Sequence, residues 1–564
     1  MKVVIIGGVA GGATAAARLR RLDENAEIIV FERGGFVSYA NCGLPYYIGG
    51  VITDRKKLTL QTPASFKKRF NIDVRVHSNV IKILPQEHRI LVRDLSTGTE
   101  YFETYDKLVY SPGAKAIFPP FASRNERTFT LRTVEDTYRI DDFLKSHSVQ
   151  SAIVVGGGFI GLETAENLTH RGIRVTLLQL EDQIMAPFDY DMACILHSHM
   201  REKGIDLRLS NKVTSLYQSG EQIVAEIEDK NSVSADIALV AIGVVPETEL
   251  AADAGLELGA KGAVIVDSHM LTSDPDIYAV GDAVLIKNNV SNRDTLVPLA
   301  GPANKQGRIA ADNIAGISST YRGAQGSSVL KLFDLTAAST GLNERAAQSA
   351  GFDTDSVLLF LPDHATYYPG ARNMTLKVLF EKKTGRILGA QAIGFGGVEK
   401  RIDVLATAIR AKMTALDLTE IDLCYAPPYS SAKDPVNMAG FVIENVRSGI
   451  VKQHSWKDMD AIRADKNAVL LDTQTKEEYD EAHFDGAINI PVDELRGRLS
   501  ELDKNKKIYV NCYSGLRSYI ACRILSANGF NCSNLAGGMR FYKVVAEGSA
   551  YDSVSRHLCG IENK

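Results

Sequence analysis

Seven cysteines in 564 residues, an odd number at irregular spacing, provide no disulfide framework. A stapled secreted scaffold is thereby excluded, and a reducing cytoplasmic setting is expected. No apolar run approaches the ~20 residues of a membrane span. The start, Met1-Lys2-Val3-Val4-Ile5-Ile6, runs straight into a buried-strand pattern, without a basic n-region, a signal-type apolar stretch or a cleavage site. A formal net charge of -4 gives no overall pull toward nucleic acid or an anionic membrane. No low-complexity tract and no metal site are read from the sequence. What remains is an ordinary globular composition, 45% hydrophobic and 23% charged. One local absence is more telling. Cys42, in Ser38-Tyr39-Ala40-Asn41-Cys42-Gly43-Leu44-Pro45, has no second cysteine beside it, since Pro45 and Tyr47 stand where a redox partner would. A lone reactive thiol needs an outside sulfur.

The length suggests roughly three or four domains. Val3 to Ile6 is the near-continuous apolar run of a parallel strand buried on both faces. It is followed by the Gly-rich turn Gly7-Gly8-Val9-Ala10-Gly11-Gly12, an Ala-rich helix over Ala13 to Leu22 and a strand over Glu27 to Glu32. The pattern recurs as Ala152 to Val155, Gly156 to Gly161, Leu162 to Arg171 and Val175 to Gln179, so two dinucleotide sites are expected. Leu108 to Ala114, with Ser111 and Gly113, and Ile277 to Val280, with Gly281-Asp282, are further strands ending in turns. The expected boundaries are 1–114 and 245–322 for the two parts of the first Rossmann-like domain, and 115–244 for the second. An α+β domain over 323–445 follows, with a strand at Leu376 to Phe380 and a helix around Ile402 to Ala411. The polar stretch 446–460 reads as a linker. A small α/β module over 461–564 has short strands at Ala468 to Asp472, Ala487 to Pro491 and Ile508 to Asn511.

Gly156-Gly157-Gly158-Phe159-Ile160-Gly161 is a full G-x-G-x-x-G between strand and helix. Gly156 permits the tight turn, Gly158 lets the backbone approach a pyrophosphate, and Gly161 lets helix and strand pack closely. The first loop departs from the pattern at Val9, but Glu32 at the next strand end is placed to bind a ribose hydroxyl pair. In the second unit that strand end is Gln179, with no Arg or Lys there, so NADH is favoured and NADPH left open. A second nucleophile candidate, Cys512, follows a strand and opens the loop Cys512-Tyr513-Ser514-Gly515-Leu516-Arg517 into a helix. Loop N–H groups and the helix dipole suit a thiolate or persulfide anion there, and Arg517 adds positive charge. A phosphatase loop needs one more residue before its Arg. Cys194, Cys424, Cys522, Cys532 and Cys559 read as buried filler.

The order of the pieces, an interrupted dinucleotide unit with a complete one inserted and then Gly281-Asp282, resembles the flavin disulfide reductase family. The lone Cys42 resembles its single-cysteine branch: coenzyme A-disulfide reductases, NADH peroxidases and NADH oxidases. Peroxidases and oxidases of that branch carry a His in the first loop where this chain has Ala10, which disfavours peroxide and oxygen chemistry. The first loop, the Cys42 segment, Tyr367-Tyr368-Pro369-Gly370 and Tyr425-Ala426-Pro427-Pro428-Tyr429-Ser430 all resemble coenzyme A-disulfide reductases. The C-terminal module, with Leu471-Asp472-Thr473, Glu478, His483 to Pro491 and the Cys512 loop, resembles a rhodanese domain.

These resemblances imply a homodimer that binds FAD, NADH or NADPH, and coenzyme A. For FAD they imply Gly7, Gly11, Gly12, Glu32, Ser111, Gly113, Gly281, Asp282 and Ala300, the last opening a helix toward the flavin. For the nicotinamide cofactor they imply Gly156, Gly158, Phe159, Gly161 and Glu163. Ser38, Asn41, Arg18, Arg21 and the Lys67-Lys68-Arg69 cluster would hold coenzyme A, with Arg21 the better of the two arginines. Cys42 would rest as a mixed disulfide with coenzyme A, and Tyr367 and Tyr425 of a partner subunit would protonate the leaving thiolate. The function implied is reduction of coenzyme A disulfide, coenzyme A persulfide or polysulfide, coupled to sulfur transfer at Cys512. The alternatives are an NADH oxidase or peroxidase, or a persulfide-sensing rhodanese module reset by its reductase.

Overall fold

Apolar runs too short for membrane spans become the central strands of parallel sheets. Residues 1–554 are described by a computed structural model, and the chain divides into two compact units, 1–182 with 205–324, and 183–204 with 325 to the C-terminus. Among the described residues no helix is long and apolar enough to cross a membrane.

The first unit holds two five-stranded sheets. In one, Lys2–Ile6 lies between Glu27–Phe31 and Lys107–Tyr110, with Asp73–Arg75 and Ile277–Ala279 at the edges. Val3, Val4 and Ile5 are wholly buried, as a strand covered on both faces requires. In the other, Ser151–Val155 lies between Arg174–Leu178 and Ile237–Val240, again all parallel. The first helix runs Ala10–Leu22, starting earlier than the expected Ala13 because the Gly-rich loop itself forms its first turn. It crosses the helix Ala300–Ile314 very closely: a Cβ on Gly307 would lie 2.3 Å from the Gly11 carbonyl oxygen. Small residues at this crossing bring the start of the later helix to the first loop.

In the second unit a five-stranded antiparallel sheet runs in the order Ser328–Leu332, Leu335–Gly341, Ile387–Gly394, Asn373–Glu381, Thr354–Pro362. The helix Val398–Arg410 packs against it through Ile402, Leu405 and Ile409. The helix Tyr190–Glu202 also belongs to this unit. Its buried residues include Met192, Ile195, Leu196 and Met200, all wholly buried. The C-terminal module is a parallel sheet, Gln453–His454, Asn531–Leu535, Lys507–Asn511, Ala468–Asp472, Ile488–Asn489.

Two expectations are corrected here. The stretch 446–460 is not a free linker. Arg447 ends a helix and donates to the Lys382 and Lys383 carbonyls, Val451 is buried, and Gln453 and His454 pair with Asn534 and Leu535 in the module's own sheet. Polarity misled because an edge strand needs only one apolar face. The strand expected over Ala487 to Pro491 shrinks to Ile488–Asn489, since Pro491 has no N–H to donate to a ladder.

Candidate active sites

The first-unit sites are built at the carboxyl ends of the parallel strands, where the backbone N–H groups of the following helix are unsatisfied. Steric detail fixes the glycines. A Cβ on Gly7 would lie 2.1 Å from the Ser111 carbonyl oxygen, and one on Gly12 would lie 1.9 Å from the Gly7 oxygen. In the second loop, Gly156 and Gly161 are equally crowded, at 2.4 Å from the Ala241 oxygen and 2.0 Å from the Gly156 oxygen. Gly158 differs: nothing lies within 4 Å of its Cβ position, and it is exposed. The strand-end side chains play matching parts. Glu32 accepts from the Gly8 N–H at 3.0 Å and the Gly34 N–H at 2.8 Å, and Gln179 accepts from the Gly157 N–H at 2.8 Å.

A cleft of about 460 Å³ opens at the first loop. Gly7, Gly11, Glu32, Ser111, Gly113, Gly281 and Asp282 line it, as do Ala10 and Asn41. Asp282 accepts from Arg132 at 2.6 Å, and Gly281 donates to Gln306 at 2.7 Å. Asn41 Oδ1 is buried without a hydrogen-bond partner, so the cleft holds an unanswered acceptor. Ala300 opens the helix Ala300–Ile314, and Ala303 of its first turn lines the cleft. Crowded glycines, a strand-end carboxylate, a helix N-terminus and an orphaned amide suit a phosphate-bearing aromatic cofactor such as FAD.

Cys42 follows Asn41 in a short turn, Asn41–Gly43, that leads into the helix Leu44–Ile48. It is an exposed free thiol. Partial burial and then the Glu163 carboxylate push its pKa up, while Arg132 opposes them. Glu163, in the helix Phe159–His170, is pushed up to about 7 by burial and by Glu166, with a hydrogen bond from Tyr46 opposing. Cys42, Glu163 and Tyr46 therefore share one neighbourhood, with Phe159 at the start of the same helix as Glu163. Ser38 is held in place by its own backbone, its N–H bonding Gly8 and its C=O Leu60. Among the expected coenzyme A cations, Arg21 is exposed, whereas Arg18 is committed to Asp312 at 2.7 Å. Neighbouring Arg20 is buried and bonds the Phe70 and Asn71 carbonyls, tying this helix to the end of Pro63–Phe70, which carries Lys67, Lys68 and Arg69. Lys67 donates to Asn71.

In the second unit, Tyr367 and Tyr425 meet: their hydroxyls are 2.7 Å apart although both rings are exposed. The hydrogen bond to Tyr425 raises the pKa of Tyr367. Cys424 beside them is exposed, which corrects its reading as buried filler; Cys194, Cys522 and Cys532 are buried, and Cys559 lies outside the described residues.

Cys512 is fully buried at the end of the strand Lys507–Asn511. Its sulfur accepts from the Gly515 N–H at 3.1 Å and from the Ser518 hydroxyl at 3.2 Å. Arg517 is turned into a two-pronged pair with Glu478, at 2.5 and 3.0 Å. Its charge is largely answered there, so Gly515 and Ser518 are the direct partners of the sulfur. Ser518, Arg132 and Tyr46 were not singled out from the sequence. Ser518 falls one helical turn past Gly515 and could have been found by that spacing; the other two are positioned by tertiary contacts alone.

Residues 1–307 match the pyridine nucleotide-disulphide oxidoreductase family, 327–435 its dimerisation domain, and 455–543 the rhodanese-like domain. The chain belongs to the pyridine nucleotide-disulphide oxidoreductase family. Its members use FAD and NAD(P)H, and this chain is an oxidoreductase with a C-terminal rhodanese-like domain. The coenzyme A disulfide reductase of Staphylococcus haemolyticus is 37% identical over 441 residues, covering 78% of this chain and 98% of the relative. The crystal structure of reduced Bacillus anthracis CoADR-RHD is 46% identical, with a TM-score of 0.95, and covers 98% of this chain and 99% of that one. A NAD-dependent persulfide reductase from A. fulgidus is 39% identical, with a TM-score of 0.91, and covers 96% of this chain and 100% of that one.

Proposed function

We propose that this chain is a cytoplasmic, homodimeric reductase that uses NADH in preference to NADPH to reduce coenzyme A disulfide, coenzyme A persulfide or polysulfide, with a sulfurtransferase module fused to it. The observation that carries this reading is Cys42. It is a free thiol with no cysteine beside it, in the neighbourhood of Glu163 and Arg132, and Ala10 stands in the adjoining cleft where oxidase or peroxidase chemistry would need a His.

FAD, when bound, carries electrons two at a time from nicotinamide to sulfur. Gly7, Gly11, Gly12, Glu32, Ser111, Gly113, Gly281, Asp282 and Ala300 would hold it. Gly156, Gly158 and Gly161 would hold the nicotinamide cofactor's pyrophosphate, with Phe159 and Glu163 near its ring. Gln179 offers no cation to a 2′-phosphate, which supports NADH. Cys42 thiolate attacks a sulfur of the disulfide, persulfide or polysulfide; a Cys42–sulfur bond forms, the substrate's sulfur–sulfur bond breaks, and the other sulfur leaves as thiolate or hydrosulfide. Tyr367 and Tyr425 of the partner subunit give a proton to the leaving thiolate, and their shared hydrogen bond orients the donating hydroxyl. Arg21 and Lys67 hold the phosphates of coenzyme A, with Ser38 and Asn41 along its thiol arm. Cys512 takes a sulfane sulfur, its persulfide anion held by Gly515 and Ser518.

Cys42→Ser tests this reading. The variant is expected to keep its yellow colour and its reduction by NADH, and to lose turnover of every sulfur substrate. Mass spectrometry of the wild-type Cys42 peptide is expected to find a coenzyme A adduct. Substantial residual disulfide turnover, or hydrogen peroxide reduced as fast as polysulfide, overturns it.

A further inference from the structure

The carboxyl edge of the C-terminal sheet carries a second charged site beside the Cys512 loop. A cavity of about 110 Å³ there is lined by Gln474, Glu478, Tyr513, Arg540, Lys543 and Asp552, among others. Arg540 lies in the helix Gly538–Ala546, whose start is hydrogen-bonded to the nucleophile loop: the Met539 N–H donates to the Cys512 carbonyl and the Arg540 N–H to the Tyr513 carbonyl, both at 2.9 Å. The Arg540 guanidinium stacks over Phe360, 4.5 Å from the ring centroid, and over Tyr513 at 5.1 Å. Arg540 is only 5% exposed, yet its Nε and Nη2 make no hydrogen bond. A buried guanidinium with idle donors is costly unless something anionic completes it.

What faces it now is the chain's own C-terminal strap. Asp552 Oδ1 stands 3.6 Å from Nη2, an ion pair too long for a hydrogen bond, while Oδ2 accepts from the Tyr513 hydroxyl. The strap is anchored elsewhere. Tyr551 bonds Thr375, and Ser553 accepts from the Asn373 N–H at 2.8 Å and from Arg372 Nε at 3.0 Å. Of the other acids at the cavity, Glu478 is answered by Arg517 and Glu481 is exposed.

We propose that Arg540, assisted by Lys543, anchors the tetrahedral oxyanion of an anionic sulfane-sulfur donor delivering to Cys512, and that Asp552 occupies this anchor until the donor displaces it. The proposal rests on the reading of Cys512 as a sulfur-transfer nucleophile. The cavity admits one sulfonate or phosphate group, not a nucleotide, so the oxyanion comes from thiosulfate or from a single phosphate of coenzyme A persulfide. With thiosulfate, the Cys512 thiolate attacks the sulfane sulfur. A Cys512–sulfur bond forms, the sulfur–sulfur bond of thiosulfate breaks, and sulfite leaves with the electron pair. The cysteine is left as the persulfide anion, and no outside oxidant or reductant is needed.

The test uses the full-length holoenzyme, with thiosulfate, coenzyme A persulfide and the uncharged 2-hydroxyethyl persulfide as donors. Arg540→Gln is expected to raise the KM of the oxyanion donor about ten- to a hundredfold, the loss of a charge-assisted hydrogen bond. Asp552→Asn is expected to lower it about two- to fivefold, as release of a weak ion pair allows. Neither change moves the KM for 2-hydroxyethyl persulfide or the reduction of coenzyme A disulfide at Cys42. Whether thiosulfate or coenzyme A persulfide responds tells sulfonate from phosphate. Unchanged KM values in both variants, or equal shifts for all three donors, overturn the proposal. Calorimetric titration of Cys512→Ser with thiosulfate and with coenzyme A separates the two readings. Binding that is lost on adding Arg540→Gln, in an enzyme whose wild type transfers no sulfur, keeps the anion site and removes only the role of Cys512. No Arg540-dependent binding of either anion removes the site itself.

Discussion

Among single residues, Ser518 is the sharpest case of chemistry that only three dimensions reveal. Its hydroxyl is one of two donors to the Cys512 sulfur, whereas Arg517, the cation that the loop pattern points to, is bound to Glu478. Ser518→Ala is therefore expected to slow persulfide formation at Cys512 about tenfold, the worth of a hydrogen bond to a charged group. Flavin reduction by NADH stays at the wild-type rate; mass spectrometry of Cys512 persulfide against time, with stopped-flow flavin reduction alongside, checks both. The positions of the two candidate thiols, Cys42 after a Gly-rich unit and Cys512 at a strand-to-helix loop, were legible because both are local patterns. Arg132 on Asp282 and Tyr46 on Glu163 were not, since each pair is assembled from segments far apart in the chain.

At the scale of elements, the glycines of one loop divide by what surrounds them. A methyl on Gly161 collides with the Gly156 carbonyl, whereas a methyl on Gly158 meets no protein atom. Gly161→Ala is expected to yield a poorly folded or unstable protein. Gly158→Ala is expected to fold normally and, on the proposed placement of the nicotinamide cofactor's pyrophosphate at this loop, to raise the KM for NADH about tenfold or more; thermal melts paired with NADH titrations separate the two outcomes. The edge strand Gln453–His454 gives a pH dependence. Burial holds the pKa of His454 down at about 4, well below an unfolded histidine near 6.5. Its folded form is neutral, so the contribution to stability is full above pH 6.5 and is lost as pH falls from 6.5 to 4. That amounts to up to about 3 kcal/mol at 1.36 kcal/mol per unit. His454→Gln is expected to remove that part of the acid loss, read from unfolding midpoints between pH 7 and 4. Strand and helix positions were mostly legible, because periodicity and Gly-rich turns are local. The stretch 446–460 was misjudged because its pairing partner, Asn531–Leu535, lies some 80 residues further along.

For the whole molecule, Cys42 lies in the first unit, and Tyr367, Tyr425 and Cys512 lie in the second. If the tyrosines serve the partner's Cys42, chains can complement each other. Co-expressed Cys42→Ser and Tyr367→Phe/Tyr425→Phe chains are expected to form heterodimers with one intact site and about half the wild-type activity, although each parent homodimer is impaired. Activity no higher than that of the parents places the tyrosines on their own chain's cysteine, or nowhere near it. The division into units has a further consequence, for synthesis. The helix Tyr190–Glu202 leaves the first unit's run of chain and buries Met192, Ile195, Leu196 and Met200 in the second. The strand it packs against, Ile387–Gly394, emerges from the ribosome about 190 residues later, which is roughly 10–40 s at ~5–20 residues per second. Until then the apolar residues of this segment have no sheet to pack against, so a nascent chain carries them while the remainder of the first unit, 205–324, is already being made.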